Sequence, residues 1–316
     1  MYGVRVIAVG GGAIKALNYV IENYRFSSEI RDLEYFAIDT DPDDLASSLA
    51  PTKIHIGRDI VTAAHSSQHY IIEEDQNWTS NFTALDMQLN NKTYPDYVVV
   101  LAALGGEAGS LLAPLVAALS KRSGPLTLGM VTLPGENEGP TKQGWAEKAK
   151  HLLMEHVDSL LEIYCDRTAA LEVSGTVNTN TPYARCVSVI AQALEAYLAL
   201  ILDIGVINGV HMYERVGHRS GVATVGMGKA IGRNKYLEAV ENAIHSPILN
   251  VPLHRARDLV LYIRGDAAID LETVSEMAEH AWTACNENAN FEFNCFFGDR
   301  EEVIVVLFAF GLESSG

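Results

Sequence analysis

Leu104-Gly105-Gly106-Glu107-Ala108-Gly109-Ser110 is a glycine-rich turn between an apolar, strand-like run and a helix-like one. A first turn of the same kind, Gly10-Gly11-Gly12, precedes it by 95 residues and follows the strand-like run Val4–Val9. Glycine lets backbone N–H groups approach a phosphate closely, and the N-terminus of the following helix adds partial positive charge. Two such turns predict a nucleotide gripped from two sides, although Glu107 places a carboxylate where a phosphate site least tolerates one.

The composition is that of an ordinary globular chain with an acidic surface. Its 316 residues are 48% hydrophobic, which is enough for one large core or two ordinary ones. The formal net charge of −17 repels phosphate backbones and anionic lipids, so we expect no nucleic-acid partner and no direct membrane binding. Residues 1–5 lead into the first strand without a signal-peptide pattern, which favours a cytoplasmic protein.

The cysteines are scattered along the chain and form no CxxC pair. They are Cys165, Cys186, Cys285 and Cys295. In a reducing cytoplasm this usage predicts free thiols, with neither disulfides nor a bound metal.

Strand-like and helix-like runs alternate through the first half of the chain, which predicts a doubly wound α/β sheet. Residues 187–207 are mostly apolar and long enough to cross a bilayer. Gln192, Glu195 and Asp203 interrupt them, so we expect a long helix buried between two subdomains. From residue 221 onward the pattern predicts a second, smaller α/β unit with its helices on one face.

The first glycine turn, taken alone, also fits a dinucleotide-binding fingerprint. Asp39, at the end of the next strand, would then reach a ribose hydroxyl. Lys15 stands where that fingerprint has Gly or Ala, which weakens the match. A Rossmann-type dinucleotide oxidoreductase is therefore an alternative of another class. Beyond Asp39, we expect Asp43 or Asp44 to cap a short helix.

Further segments, in order along nearly the whole chain, resemble the FtsZ/tubulin family. Besides the two glycine turns they are residues 37–41, 50–57, 126–138, 157–160, 206–208, 243–249 and 303–311. The resemblance implies a Rossmann-type GTP-binding domain over residues 1–182, a central helix over 183–207 and a smaller α/β activation domain over 208–316.

The resemblance also implies a set of nucleotide-binding residues. Two of them have base-directed roles: Lys15 takes the position of a polar residue that reaches guanine, and Tyr183 would stack on the base. Glu138 would contact the ribose, and Lys142 a phosphate. The remaining nucleotide-binding positions lie in the two glycine turns and in the loop at Pro134: Gly10, Gly11, Gly12, Gly105, Gly106, Gly109, Ser110 and Pro134.

Two departures from the family pattern bear on activity. The signature GGGTGTG falls on residues 105–111, where Glu107 replaces a glycine and Ala108 replaces a threonine. The catalytic loop NxDxxD falls on residues 208–213, and neither carboxylate position holds an acid. Glu214 is a candidate replacement, so whether the chain is an active GTPase stays open at this level.

We therefore expect a cytoskeletal assembly protein that binds copies of itself or related FtsZ-like subunits head to tail, an interface that generates filaments. Its GTP or GDP site is altered, its hydrolysis is slow or absent, and Mg²⁺ enters only with GTP. The alternative within the family is an active, assembly-dependent GTPase in cell division, with Glu214 and Lys142 in replacement roles.

Overall fold

The computed structural model describes residues 3–24, 32–57, 83, 85–90, 95–171, 181–202, 207–208, 221–285, 288–298 and 301–312. These form two compact units, Met1–Leu160 and Leu161–Gly316. Both mix strands with helices, so the predicted α/β class is confirmed. The domain boundaries expected at residues 182 and 207 stay predictions.

The first unit alternates strands and helices as the pattern predicted. Its strands are β1 (Val4–Val9), β2 (Leu33–Asp39), β3 (Thr52–His55), β4 (Tyr97–Ala103) and β5 (Leu126–Leu133). Its helices are α1 (Gly11–Asn23), α2 (Pro42–Ser47), α3 (Glu107–Lys121) and α4 (Pro140–Met154), with a 3₁₀ turn at Glu136–Glu138. All described residues of β1 and β5 are buried, as expected of parallel strands covered on both faces.

The strands of the first unit pair in the order β3-β2-β1-β4-β5, and every pair is parallel. The chain moves outward from β1 to β2 and β3, then returns to the other side of β1 as β4. The order of strands therefore reverses between β1 and β4. In open α/β sheets, ligands bind in the crevice at the carboxyl ends of the strands flanking such a switch point.

The second unit builds a mixed sheet. Strand β6 (Ser159–Tyr164) contains the boundary between the units, which falls after Leu160. The strands that follow are β7 (Ile207–Asn208), β8 (Val222–Ala230), β9 (Asp258–Gly265), β10 (Asn290–Phe297) and β11 (Val303–Leu312). β11 pairs antiparallel with β8 and β9, while β10 pairs parallel with β9. Helices α6 (Lys235–Ile244) and α7 (Leu271–Thr283) share one apolar cluster with β9 and β11.

The long helix α5 (Pro182–Leu202) lies where the sequence predicts a central helix, and residues 203–206 are outside the described part of the chain. It is long and apolar enough to span a membrane, yet 89% of its most apolar stretch is buried inside the protein. Glu195, 6% exposed, accepts a hydrogen bond from the Tyr262 hydroxyl at 3.0 Å and lies 3.5 Å from Arg264 Nη1. These partners offset the cost of burying its charge.

Two local expectations were wrong. Cys165 and Cys186 are joined in a disulfide, with Cα atoms 5.2 Å apart, so the cysteines are not all free thiols. The 3₁₀ turn Cys165–Ala170 packs on α5, and this contact brings together two cysteines that are 21 residues apart. Asp41, rather than Asp43 or Asp44, caps α2: its Oδ1 accepts from the Asp43 N–H at 2.9 Å.

The disulfide predicts a thiol count. Protein purified in air and unfolded in guanidinium should react with two equivalents of a thiol reagent per chain, from Cys285 and Cys295. After reduction by a dithiol and its removal, the count should rise to four. Four equivalents before reduction would contradict the pairing of Cys165 with Cys186.

Glycines in β8 predict a stability difference. A Cβ on Gly228 would collide with the Ala239 carbonyl and the Ala243 nitrogen of α6, so Gly228→Ala should destabilise the fold by about 1–3 kcal/mol. Gly144, in the exposed interior of α4, has no atom within 4 Å of such a Cβ. Gly144→Ala should therefore stabilise by about 0.5–1 kcal/mol. Urea denaturation measures both, and equal effects would refute the packing argument.

Candidate nucleotide-binding site

The two glycine turns meet at the switch point of the first unit. β1 and β4 are adjacent and parallel, so the turns that follow them share one edge of the sheet. A Cβ placed on Gly10 would lie 3.1 Å from the Gly109 nitrogen and 3.4 Å from its Cα. The turns are thus in backbone contact, and the structure brings together what the sequence separates by 95 residues.

The first turn opens directly into α1. Gly10 has a φ of 86°, a conformation that favours glycine, and its N–H donates to the Ile38 carbonyl at 2.9 Å. The first intrahelical donor is Ile14, whose N–H reaches the Gly10 carbonyl at 3.0 Å. The N–H groups of residues 11–13 therefore have no acceptor within the helix, which is the arrangement that binds anions.

The second turn has the same form and is held by its own side chain. Gly105, with a φ of 96°, donates its N–H to Ser110 Oγ at 2.8 Å, and Ser110 is 1% exposed. This hydroxyl therefore braces the turn. Ser110 is also the first intrahelical donor of α3, so the N–H groups of residues 107–109 lack an acceptor within the helix. A Cβ on Gly109 would collide with the Ala103 carbonyl of β4.

The third predicted loop, after β5, joins the same edge. A Cβ on Gly105 would lie 3.2 Å from Pro134 Cγ and 3.4 Å from the Lys142 carbonyl oxygen. Glu138 accepts from the Gly135 N–H at 3.0 Å through Oε1, and its Oε2 lies 3.1 Å from Lys142 Nζ. The residues expected to contact ribose and phosphate thus pair with each other one helical turn apart. Both are about half exposed.

Acidic side chains surround these turns. Glu107 is the first residue of α3 and is exposed. The positive end of that helix stabilises its carboxylate. The Asp44 carboxylate, from α2, lies directly against Gly11. Sequence reasoning considered Asp44 only as a helix cap and missed this contact. The sequence did carry a sign of this negative charge, because aspartates stand at positions 39, 41, 43 and 44, at the end of β2 and directly after it.

Asp39 takes part in the turn after β2, whereas the dinucleotide alternative assigns it to a ribose hydroxyl. It is 2% exposed, and its Oδ1 accepts from the N–H groups of Thr40 at 2.6 Å and Asp41 at 3.1 Å. Burial raises the pKa of this carboxyl, the two hydrogen bonds lower it, and the charges of Asp44 and Asp41 raise it again. Asp39 thus shapes the turn between β2 and α2.

The remaining predicted residues are Lys15, Tyr183 and Glu214. Lys15 is exposed on α1 of the first unit. Tyr183 lies in the first turn of α5, in the second unit, and is 48% exposed. Glu214 lies outside the described residues, as does the rest of the predicted catalytic loop after Asn208.

A separate cleft of about 440 Å³ lies within the second unit. α5 contributes Val189 and Gln192 to its lining, β8 contributes Met227 and Lys229, and His245 follows from α6. No predicted nucleotide-binding residue lines this cleft. The glycine turns, and not this cleft, are therefore the candidate nucleotide site.

Comparison with protein-family models gives two matches. Residues 3–169 match the model "Tubulin/FtsZ family, GTPase domain", and residues 221–313 match "FtsZ family, C-terminal domain". The first match contains the two glycine turns and the loop after β5. Neither match supports the oxidoreductase alternative.

Solved structures share the fold over almost the whole chain. The FtsZ dimer of M. jannaschii, described as empty, is 22% identical with a TM-score of 0.80, covering 98% of this chain and 88% of that one. CetZ2 from Haloferax volcanii, a GTPγS-bound protofilament, is 20% identical with a TM-score of 0.75, covering 100% and 94%. CetZ1 from the same organism, a GDP-bound monomer, is 17% identical with a TM-score of 0.72, covering 99% and 95%.

The two family-model matches confirm the family that the resemblance predicted, and the solved structures confirm the fold. The GTPase-domain model matches more than half of this chain, and the C-terminal model follows it in the expected order. The chain therefore belongs to the Tubulin/FtsZ family.

Proposed function

We propose that this chain is a cytoplasmic, filament-forming assembly protein that binds guanine nucleotide weakly and hydrolyses GTP slowly or not at all. The observation that carries the proposal is the junction of the two glycine turns. That junction keeps a backbone cradle suited to phosphates, and carboxylates now flank it.

The cradle supports nucleotide binding through its backbone. α1 and α3 both begin at the carboxyl ends of neighbouring parallel strands, so their positive ends lie side by side. The N–H groups of residues 11–13 and 107–109 lack acceptors within their helices. Backbone donors of this kind bind phosphate oxygens without any side chain.

The charges around the cradle oppose tight binding. Glu107 and Asp44 place negative charge at the two helix N-termini, where phosphates would bind. Lys142, the basic residue expected at a phosphate, is paired with Glu138. Two like charges about 4 Å apart repel by about 4 kcal/mol at an effective dielectric near 20, and solvent screening reduces this for exposed groups. The balance favours weak affinity.

A cation would reach this site with the nucleotide. The described residues contain no group of three or more His, Cys, Asp or Glu side chains able to hold a metal ion. Mg²⁺ is commonly held by substrate phosphates, waters and one or two carboxylates. We therefore expect Mg²⁺ to accompany GTP and not to bind alone.

Self-association is the other half of the proposal. The FtsZ relative is described as a dimer and the CetZ2 relative as a protofilament. A head-to-tail interface between copies generates an open filament. Slow hydrolysis follows from the missing carboxylates at positions 210 and 213, since orienting or general-base help is worth about 10²–10⁴-fold.

Removing the charge of Glu107 tests the account of the second turn. Glu107→Gln keeps the size of the side chain and removes its repulsion of phosphate. The affinity for fluorescently labelled GDP should therefore rise about three- to tenfold, less at high salt. Glu272→Gln is the matched control, because Glu272 is also exposed in the first turn of a helix, α7. Equal affinities of the two variants would contradict this account.

A concentration series tests the slow hydrolysis. Pelletable polymer should form with GTP, while phosphate release per chain stays low and does not rise steeply with protein concentration. The double variant Val210→Asp/Tyr213→Asp restores the carboxylates of the family motif and should release phosphate about 10²-fold faster or more. A steep rise in the unmodified protein would instead favour the active GTPase.

A further inference from the structure

The space in front of Gly11 is filled by a side chain of the same protein. A Cβ placed on Gly11 would lie 2.6 Å from Asp44 Cγ and 3.0 Å from Asp44 Oδ1, with Oδ2 closer still. A side chain on Gly11 would therefore collide with this carboxylate unless Asp44 moved. The carboxylate therefore lies at the first turn of α1, against the backbone that the proposed function assigns to phosphate.

The positive end of α1 attracts negative charge, whether it comes from a carboxylate or from a phosphate. Residues 11–13 carry N–H groups without acceptors in the helix, at the positive end of a helix of 13 residues. Both anions are stabilised by the positive end of a helix, and a phosphate placed against Gly11 on this side would overlap the Asp44 carboxylate. A nucleotide phosphate at Gly11 requires Asp44 to leave.

Asp44 is carried to this position by a helix that is fastened at both ends. The Asn18 side chain of α1 donates from Nδ2 to the Ser47 carbonyl at 2.9 Å, and its Oδ1 accepts from the Leu49 N–H at 2.8 Å. At the other end, Asp41 caps α2 through the Asp43 N–H, and Leu45 is buried. The carboxylate is therefore placed by the docking of α2 on α1.

We propose that Asp44 is a built-in competitor that occupies the phosphate position of the first glycine turn and must be displaced by the phosphates of a nucleoside di- or triphosphate. This inference rests on the proposed function, because it concerns the same site. Binding is then coupled to movement of α2 or of the Asp44 side chain. The apparent association constant equals the intrinsic one multiplied by the fraction of molecules in which the turn is vacant, so it is lower than the intrinsic one.

The main test compares two neighbouring aspartates. Asp44→Asn removes the competing charge at constant size, and Asp43→Asn makes the same change on an exposed side chain in the same turn of α2. Affinity for GDP, measured by calorimetry, should rise about tenfold in Asp44→Asn and change less than twofold in Asp43→Asn. Asn18→Ala, which unfastens the end of α2, should also raise the affinity.

A second measurement needs no nucleotide. In amide NMR spectra of the unliganded protein, Asp44→Asn should shift the N–H resonances of residues 11–13, and Asp43→Asn should leave them in place. Unshifted resonances would overturn the contact itself, whatever the protein binds.

The outcomes separate the two proposals. If the unmodified protein binds GDP and Asp44→Asn binds it no better than Asp43→Asn does, the competitor is refuted while the proposed function survives. If the unmodified protein, Asp44→Asn and Glu107→Gln all fail to bind GDP or GTP at millimolar concentration, both proposals are refuted.

Discussion

The backbone contact between Gly10 and Gly109 organises the first unit. A side chain at Gly10 would lie 3.1 Å from the Gly109 nitrogen, and one at Gly109 would strike the Ala103 carbonyl. Because both positions are glycine, the turns after β1 and β4 can touch, and the N-termini of α1 and α3 reach one edge of the sheet. The loop after β5 joins that edge through Pro134, which packs on Gly105. The candidate site is a consequence of this packing.

Two neighbouring helix N-termini attract negative charge, and this chain supplies some of its own. Glu107 stabilises the start of α3, and Asp44 lies at the start of α1. The same partial charges would hold phosphate groups, so helix stability and anion binding compete for them. This competition explains how a chain can keep the backbone geometry of a nucleotide-binding family while its side chains work against tight binding.

Much of the fold could be predicted because its signals are local. Apolar runs followed by glycine predicted β1 and β4 and the helices after them, and the long apolar segment predicted α5. One error was local, and the other concerned a contact between distant residues. The cap of α2 was predicted at Asp43 or Asp44, but Pro42 begins that helix and leaves Asp41 at the capping position. Cys165 and Cys186 have no spacing signature, and their pairing depends on the packing of a 3₁₀ turn on α5.

Glycine positions, strand-like runs and their order along the chain were sufficient for the α/β class, the family and the edge of the sheet where a phosphate would bind. These properties depend on backbone conformation and hydrophobic periodicity, which short segments specify. Which charges face that edge depended on tertiary packing. Asp44 reaches Gly11 because α2 docks on α1, where the Asn18 side chain bonds to the backbone of Ser47 and Leu49. Such contacts join side chains through space, and no local pattern encodes them.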